Sequence, residues 1–187
     1  MKIAVLSDGG WGTALALLLV DNGHDVTLWG PFPEYVQKMR ETGENPEFLP
    51  GIKLNADLQL SADLAACVAA AELLVLAAPS LYMRKLLVSL ADVGVARRAV
   101  PVLNVAKGLE QDTDLRMSEL VRAVLGDVDY ATLSGPSHAE EVARGMPTAV
   151  AVAAKNPDLA AAVQTAFMNG RFRVYTQDDV VGVELGG

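Results

Sequence analysis

Short apolar runs along the chain end repeatedly in glycine, proline, serine or asparagine, and longer stretches between them carry apolar residues every three or four positions. The runs predict strands near 3–6, 25–29, 73–77, 99–105, 130–133, 148–153 and 172–175. The stretches at helical spacing predict helices at 11–22, 33–41, 61–71, 81–90, 115–125, 137–144 and 157–168. Strand and helix alternate almost throughout. That order implies right-handed crossovers, a largely parallel sheet with helices on both faces, and ligands in the crevice at the carboxyl ends of the strands. Asn45-Pro46-Glu47-Phe48-Leu49-Pro50-Gly51 is the longest irregular stretch, and its two prolines set extended or turn geometry rather than a linker. The last stretch, Asp178-Asp179-Val180-Val181-Gly182-Val183-Glu184-Leu185-Gly186-Gly187, has helix-starting acids and then apolar residues with nothing after them as cover. Such a helix is marginal by itself. The segment therefore reads as the start of another domain, with a frayed natural terminus as the alternative.

Composition narrows this picture. Of 187 residues, 51% are apolar but only 5% aromatic, which suits an α/β sheet covered by helices better than an aromatic-rich sandwich. A net charge of −8 argues against nucleic-acid or anionic membrane surfaces, so an anionic ligand must be captured locally. Cys67 is the single cysteine, which rules out a disulfide within the chain and reads as a small buried hydrophobe in a reducing compartment. The N-terminal run breaks into glycines too early for a signal peptide, and no run reaches membrane-spanning length. A cytoplasmic location without membrane insertion is expected.

Between the first predicted strand and helix, Leu6-Ser7-Asp8-Gly9-Gly10-Trp11-Gly12 resembles a dinucleotide turn whose first glycine is replaced by Ser7. Gly9 would let the pyrophosphate approach, Gly12 would let helix pack on strand, and Gly10 adds freedom that partly compensates for Ser7. Asp8 places a negative charge near the phosphates unless its carboxylate turns outward. Dinucleotide folds usually carry an acid or an arginine at the end of the second strand, and this choice separates NAD from NADP. Here that place holds Gly30-Pro31-Phe32, with Glu34 as a poorly placed substitute, so charge does not decide between the cofactors.

Further candidates stand at other predicted strand ends. Lys107 follows Val102-Leu103-Asn104-Val105-Ala106 and is placed to hold a phosphate, or else to pair with Glu110. Ser137 and Glu140 have the spacing of a capping box, and Ser80 that of a helix N-cap. His138 has an acid/base side chain but reads as loop packing or rim, and His24 as part of the turn before the second strand.

Taken together, Gly10-Trp11-Gly12-Thr13-Ala14-Leu15-Ala16, the 45–51 stretch, Ala78-Pro79-Ser80, Ala106-Lys107-Gly108-Leu109-Glu110 and Leu133-Ser134-Gly135-Pro136-Ser137 resemble bacterial-type NAD(P)-dependent glycerol-3-phosphate dehydrogenase, in order and spacing. The departures are Ser7, Asp8, Pro31 and His138. The resemblance implies a Rossmann-like, doubly wound dinucleotide-binding domain over 1–177 and, over 178–187, the truncated start of a helical substrate domain that is otherwise absent. It implies NAD or NADP as cofactor, with Gly9, Gly10, Trp11, Gly12, Ser80, Lys107 and Ala139 around it. It implies that Lys107, Gly135 and Ser137 face dihydroxyacetone phosphate or sn-glycerol 3-phosphate, with hydride transfer serving phospholipid synthesis. Phe48 is the apolar anchor of its loop. No principal catalytic residue is expected within the chain, because the resemblance puts the proton-donating lysine just beyond Gly187; the isolated chain is then expected to show little activity. A homodimer of the full-length protein stays open, as do two alternatives: another reductase with the same first domain, or a non-catalytic nucleotide-binding module.

Overall fold

The computed structural model describes residues 1–98 and 100–186. In chain order the elements are β1 (Lys2–Leu6), α1 (Gly10–Asp21), β2 (Asp25–Trp29), α2 (Pro33–Thr42), β3 (Glu44–Asn45), β4 (Leu49–Lys53), β5 (Gln59–Ser61), α3 (Leu64–Ala69), β6 (Leu73–Leu76) and α4 (Ser80–Asp92). A 3₁₀ turn (Val95–Arg97) leads to β7 (Val102–Asn104), α5 (Met117–Leu125), β8 (Tyr130–Ser134), α6 (Ala139–Ala143), β9 (Thr148–Ala154), α7 (Pro157–Phe167), β10 (Phe172–Gln177) and α8 (Val180–Leu185). Eight strands form one sheet in the order β10-β9-β8-β7-β6-β1-β2-β5, while β3 and β4 form a separate antiparallel pair. The expected doubly wound, Rossmann-like α/β sheet is therefore present.

The central strands read as unbroken apolar runs because both of their faces are covered. In β1, Ile3 and Val5 join a core built with α1 and α7, whereas Ala4 and Leu6 join one built with α3, α4 and α5. Leu73 and Val75 of β6 divide from Leu74 and Leu76 in the same way. The strand alternation that points side chains to opposite faces thus feeds two cores at once.

The sheet is largely parallel, as expected, while several element bounds need correction. The neighbours in the large sheet run parallel except β8 and β9, which pair antiparallel from Ala131↔Ala154 to Ser134↔Ala151 although a helix separates them. That helix, α6, is only five residues long, too short for the usual crossover. The helix expected at 61–71 starts later, because Ser61 pairs with Trp29 as the edge strand β5 and the Asp63 carboxylate caps α3 by accepting from Ala66 N at 3.0 Å. The strand expected at 99–105 is reduced to β7; Ala99 lies outside the described residues, as does Gly187. The 45–51 stretch holds the last residue of β3 and the start of β4 rather than only irregular chain.

The final segment does form a helix with little apolar cover, and α8 buries none of its own residues. Its anchor is polar. Glu184, with a side chain 5% exposed, accepts from Ser118 N at 2.8 Å, Ser118 Oγ at 2.7 Å, Arg116 Nη1 at 2.9 Å and Tyr130 Oη at 2.6 Å. Burial and the Glu184 carboxylate push the Tyr130 hydroxyl far above its ordinary value.

Candidate functional site

Strand β1 sits between β6 and β2, so chain connections leave it in opposite directions and open a crevice at its carboxyl end. The glycine turn lies there. Ser7 takes φ 133°, a conformation that favours glycine, and is held by donating its N–H to Trp29 O at 3.1 Å. Its hydroxyl accepts from Gly9 N at 3.3 Å. Gly12 lets α1 pack against the strands: a Cβ there would strike Ser7 O and stand 3.2 Å from the Ala77 methyl. Gly10 serves a different purpose from the turn freedom expected of it. It begins α1, and a Cβ on it would strike the backbone carbonyl of Phe48. Gly9 precedes α1 without any side-chain cap, so the first N–H groups of the helix, from Gly10, Trp11 and Gly12, have no intrahelical acceptor.

The Asp8 carboxylate does not turn outward. Asp8 is 6% exposed, Oδ2 has no hydrogen-bond partner among the described residues, and burial raises the carboxyl above its ordinary value. Asn45, fully buried, ties this turn to the 45–51 stretch. Its amide donates to Asp8 O at 2.7 Å and to Thr13 Oγ1 at 2.8 Å, and its carbonyl accepts from Tyr35 Oη at 2.5 Å and Phe48 N at 3.2 Å. Phe48 itself is half exposed and meets the Tyr35 ring edge-on, with centroids 5.6 Å apart.

Across the crevice, Asn104 bends the chain after β7 by accepting from Ala106 N at 3.2 Å and donating to Ala106 O at 2.9 Å. Lys107 follows, and its ammonium donates to Gly135 O at 2.8 Å. The alternative pairing with Glu110 does not form. Glu110 turns inward to Arg84, which grips both carboxylate oxygens at 2.6 Å, and to the Thr113 hydroxyl; the Arg84 hydrogen bond holds its carboxyl below the ordinary value. A bidentate guanidinium fork is a better partner than a neighbouring lysine.

The expected caps also fail. Ser137 donates back to Gly135 O at 3.2 Å, and His138, not Ser137, precedes α6, so no box with Glu140 closes. Pro79 takes the cap position of α4 and Ser80 is its first residue, near Gly108, whose Cβ would lie 3.5 Å from Ser80 Oγ. Gly135 packs tightly: a Cβ there would lie 3.0 Å from both Ala149 O and Val150 Cα. Trp11 reaches over from α1 and donates its indole N–H to Val105 O at 3.2 Å.

These pieces meet in a cleft of about 400 Å³ whose walls include Trp11, Pro79, Lys107, Ser137, His138 and Ala139. Of the candidates from sequence, Trp11, Lys107, Ser137 and Ala139 line it directly, and Gly135 holds Lys107 and Ser137 through its carbonyl. Gly9, Gly10 and Gly12 form the turn at the start of α1, and Ser80 follows the lining residue Pro79 and stands near Gly108. Asn45, Asn104 and Arg84 went unrecognised as individual residues in the sequence. An asparagine or an ion-pair partner becomes legible only when its distant acceptor or donor is known. Cys67 is a buried free thiol, raised by burial, away from this cleft. His24 does close the turn before β2, with ring contacts to Ala166 O and the N-terminal amine.

Residues 2–160 match the family model described as NAD-dependent glycerol-3-phosphate dehydrogenase N-terminus. Over its whole length the chain is 49% identical to glycerol-3-phosphate dehydrogenase [NAD(P)+] of Moorella thermoacetica, covering 55% of it, and 47% identical to that of a Geobacter species, covering 56%. The chain thus spans about half the length of the curated relatives it matches. A crystal structure of glycerol-3-phosphate dehydrogenase from Coxiella burnetii superposes on 97% of the chain with a TM-score of 0.91 at 34% identity, the chain covering 55% of that protein. By this match and by its fold, the chain belongs to the NAD-dependent glycerol-3-phosphate dehydrogenase family and corresponds to the family's N-terminal domain.

Proposed function

We propose that the cleft binds NAD(H) or NADP(H), and that the whole protein transfers hydride between this cofactor and dihydroxyacetone phosphate or sn-glycerol 3-phosphate in the cytoplasm, for glycerophospholipid synthesis. The observation that carries the reading is the convergence of Lys107, Ser137 and Trp11 on one cleft beside the start of α1. The residues fit a dinucleotide. The Gly10, Trp11 and Gly12 N–H groups suit a pyrophosphate, and they gain from the positive end of the helix dipole. In a chain of net charge −8 they and the Lys107 ammonium are the local attraction for an anion.

The bound nicotinamide supplies the hydride. The protein's part is to orient and to stabilise. Lys107, one hydrogen bond from Gly135 O, stands ready to exchange that contact for an anionic or developing alkoxide oxygen. Gly135 and Ser137 form the facing wall toward substrate, and Trp11, Ser80 and Ala139 border the nucleotide. Lys107 acts electrostatically in this scheme, and proton donation belongs to the half of the relatives' length that these 187 residues do not match. Domain division follows the same reading: 1–177 bind nucleotide, and 178–187 lead into the substrate-binding part.

Calorimetric titration of the 187-residue protein with NADH and NADPH should show saturable binding, and a coupled assay with dihydroxyacetone phosphate should show little or no turnover. Absence of binding by both nucleotides refutes the cleft assignment. Robust turnover refutes the placing of proton donation outside these residues, because the donor would then lie within them.

A further inference from the structure

Dinucleotide sites ordinarily read the adenosine ribose with a carboxylate at the end of the second strand, or accept a 2′-phosphate with an arginine there. At that place this chain has Gly30 followed by Pro31, neither of which can do so. The space is nevertheless filled. A Cβ on Gly30 would strike Asp8 Oδ2 and lie 2.6 Å from Asp8 Cγ, so the Asp8 carboxyl stands where the missing side chain would begin. An acid thus reaches the end of β2 from the glycine turn after β1.

That carboxyl is unusual in two further respects. Asp8 is 6% exposed, and Oδ2 finds no donor among the described residues, although buried carboxylate oxygens are ordinarily satisfied. The charged groups around it are unfavourable to a second anion. The Glu47 carboxylate repels Asp8, Lys38 is engaged by Glu47 at 3.1 Å, and the Arg40 guanidinium turns to Leu60 O. Oδ2 therefore lacks a donor, and Lys38 and Arg40 are both committed elsewhere.

We propose that Asp8 sets the nucleotide preference of this site in favour of NAD(H), its carboxylate accepting from a ribose hydroxyl of the adenosine half and repelling the 2′-phosphate of NADP(H). This rests on the nucleotide reading given above. Because Oδ2 is closed off in the free protein, engagement requires the carboxyl to rotate out of the hollow beside Gly30, which has no side chain of its own.

Calorimetric titration of the 187-residue protein and of its Asp8→Asn and Asp8→Ser variants with NADH and with NADPH tests this, with circular dichroism as the check on folding. The unsubstituted protein should bind NADH at least about tenfold more tightly than NADPH, the scale of one hydrogen bond to a charged group. Both variants should bring that ratio to within about twofold, chiefly by losing NADH affinity. A preference for NADPH in the unsubstituted protein overturns the proposal, as does an unchanged ratio in folded variants. Equal loss of both nucleotides in the variants also overturns it, since Asp8 would then hold the turn rather than read the ribose. If the unsubstituted protein binds neither nucleotide, the cleft assignment itself falls, which the first pair of titrations reveals without any variant.

Discussion

Replacing Glu184 by alanine removes the acceptor of four hydrogen bonds and one partner of an ion pair whose carboxylate is 5% exposed. Separately, breaking a buried pair by removing one partner costs about 3–5 kcal/mol, and each buried donor left unpaired about 1–3 kcal/mol. These figures do not add. Ser118 is the second residue of α5, and its N–H is one of the groups that water satisfies at an open helix start. Helix α8 buries none of its residues, so lifting it exposes little apolar surface while rehydrating Ser118, Arg116 and Tyr130 together. The cheaper response is detachment of α8, which limits the global loss to about 2 kcal/mol. For a domain of this size that corresponds to a fall of roughly 4–8 °C in Tm. Urea unfolding followed by circular dichroism measures the global loss, and hydrogen exchange over 179–186 measures the detachment. Glu184→Gln should behave much like alanine, because an amide can turn only one oxygen toward four donors. Unchanged exchange protection of α8, or a global loss below about 0.5 kcal/mol, would show that the carboxylate is not the anchor.

Other substitutions separate the roles within the glycine turn. Ser7→Gly relieves a φ of 133° but loosens the unfolded chain and gives up the bond from Gly9 N. The net expected is a gain of up to about 1 kcal/mol, read from Tm, and a loss of more than about 1 kcal/mol would refute the strain. Gly10→Ala drives a methyl into the Phe48 carbonyl and should cost about 1–3 kcal/mol in denaturant unfolding. Gly9→Ala meets nothing nearer than Ser7 Oγ at 3.6 Å, so it should leave stability within about 0.5 kcal/mol while weakening NADH binding in calorimetry. Equal stability losses at the two glycines would contradict the geometry. Burial raises the Asp8 carboxyl, so the folded state favours its neutral form. That contribution is present below the ordinary aspartate value of about 3.9 and is lost as pH rises through the raised value. In the nucleotide-free protein, Asp8→Asn should therefore gain stability relative to its parent as pH increases from 4 to 8; unfolding midpoints that diverge in the opposite sense would show that Asp8 is not held in a desolvated site.

What the chain discloses in sequence, and what it withholds, divides along a physical line. Runs such as Leu73-Leu74-Val75-Leu76 declare a strand because two covered faces need no polar alternation. The turn at 7–12 and Lys107 were legible as site candidates because a parallel sheet delivers its strand ends to one crevice, and the Gly135-Pro136-Ser137 turn only through resemblance to the family. Local spacing succeeded only where no distant group competed. Ser137 and Glu140 have the sequence of a capping box, yet Gly135 O takes the serine hydroxyl. Lys107 and Glu110 are near neighbours, yet Arg84 takes the glutamate and Gly135 takes the lysine. Strands β3 and β4, one only two residues long and the other holding Pro50 and Gly51, carry no periodic signal; the Asn45 amide, bonded to Asp8 and Thr13 far back in the chain, fixes their place. Glu184, 68 residues from Arg116, is the same case at the other end of the molecule. Asp8 was legible as an acid near the phosphates but not as one beside the end of β2, since an acid is sought on β2 itself and this one arrives from β1. Buried polar side chains choose partners by sheet register and helix docking, which sequence spacing does not encode. The residues that tie the turns around this site, Asn45 and Asn104, are accordingly ordinary asparagines, and their loss should disturb the cleft as surely as a change in its glycines.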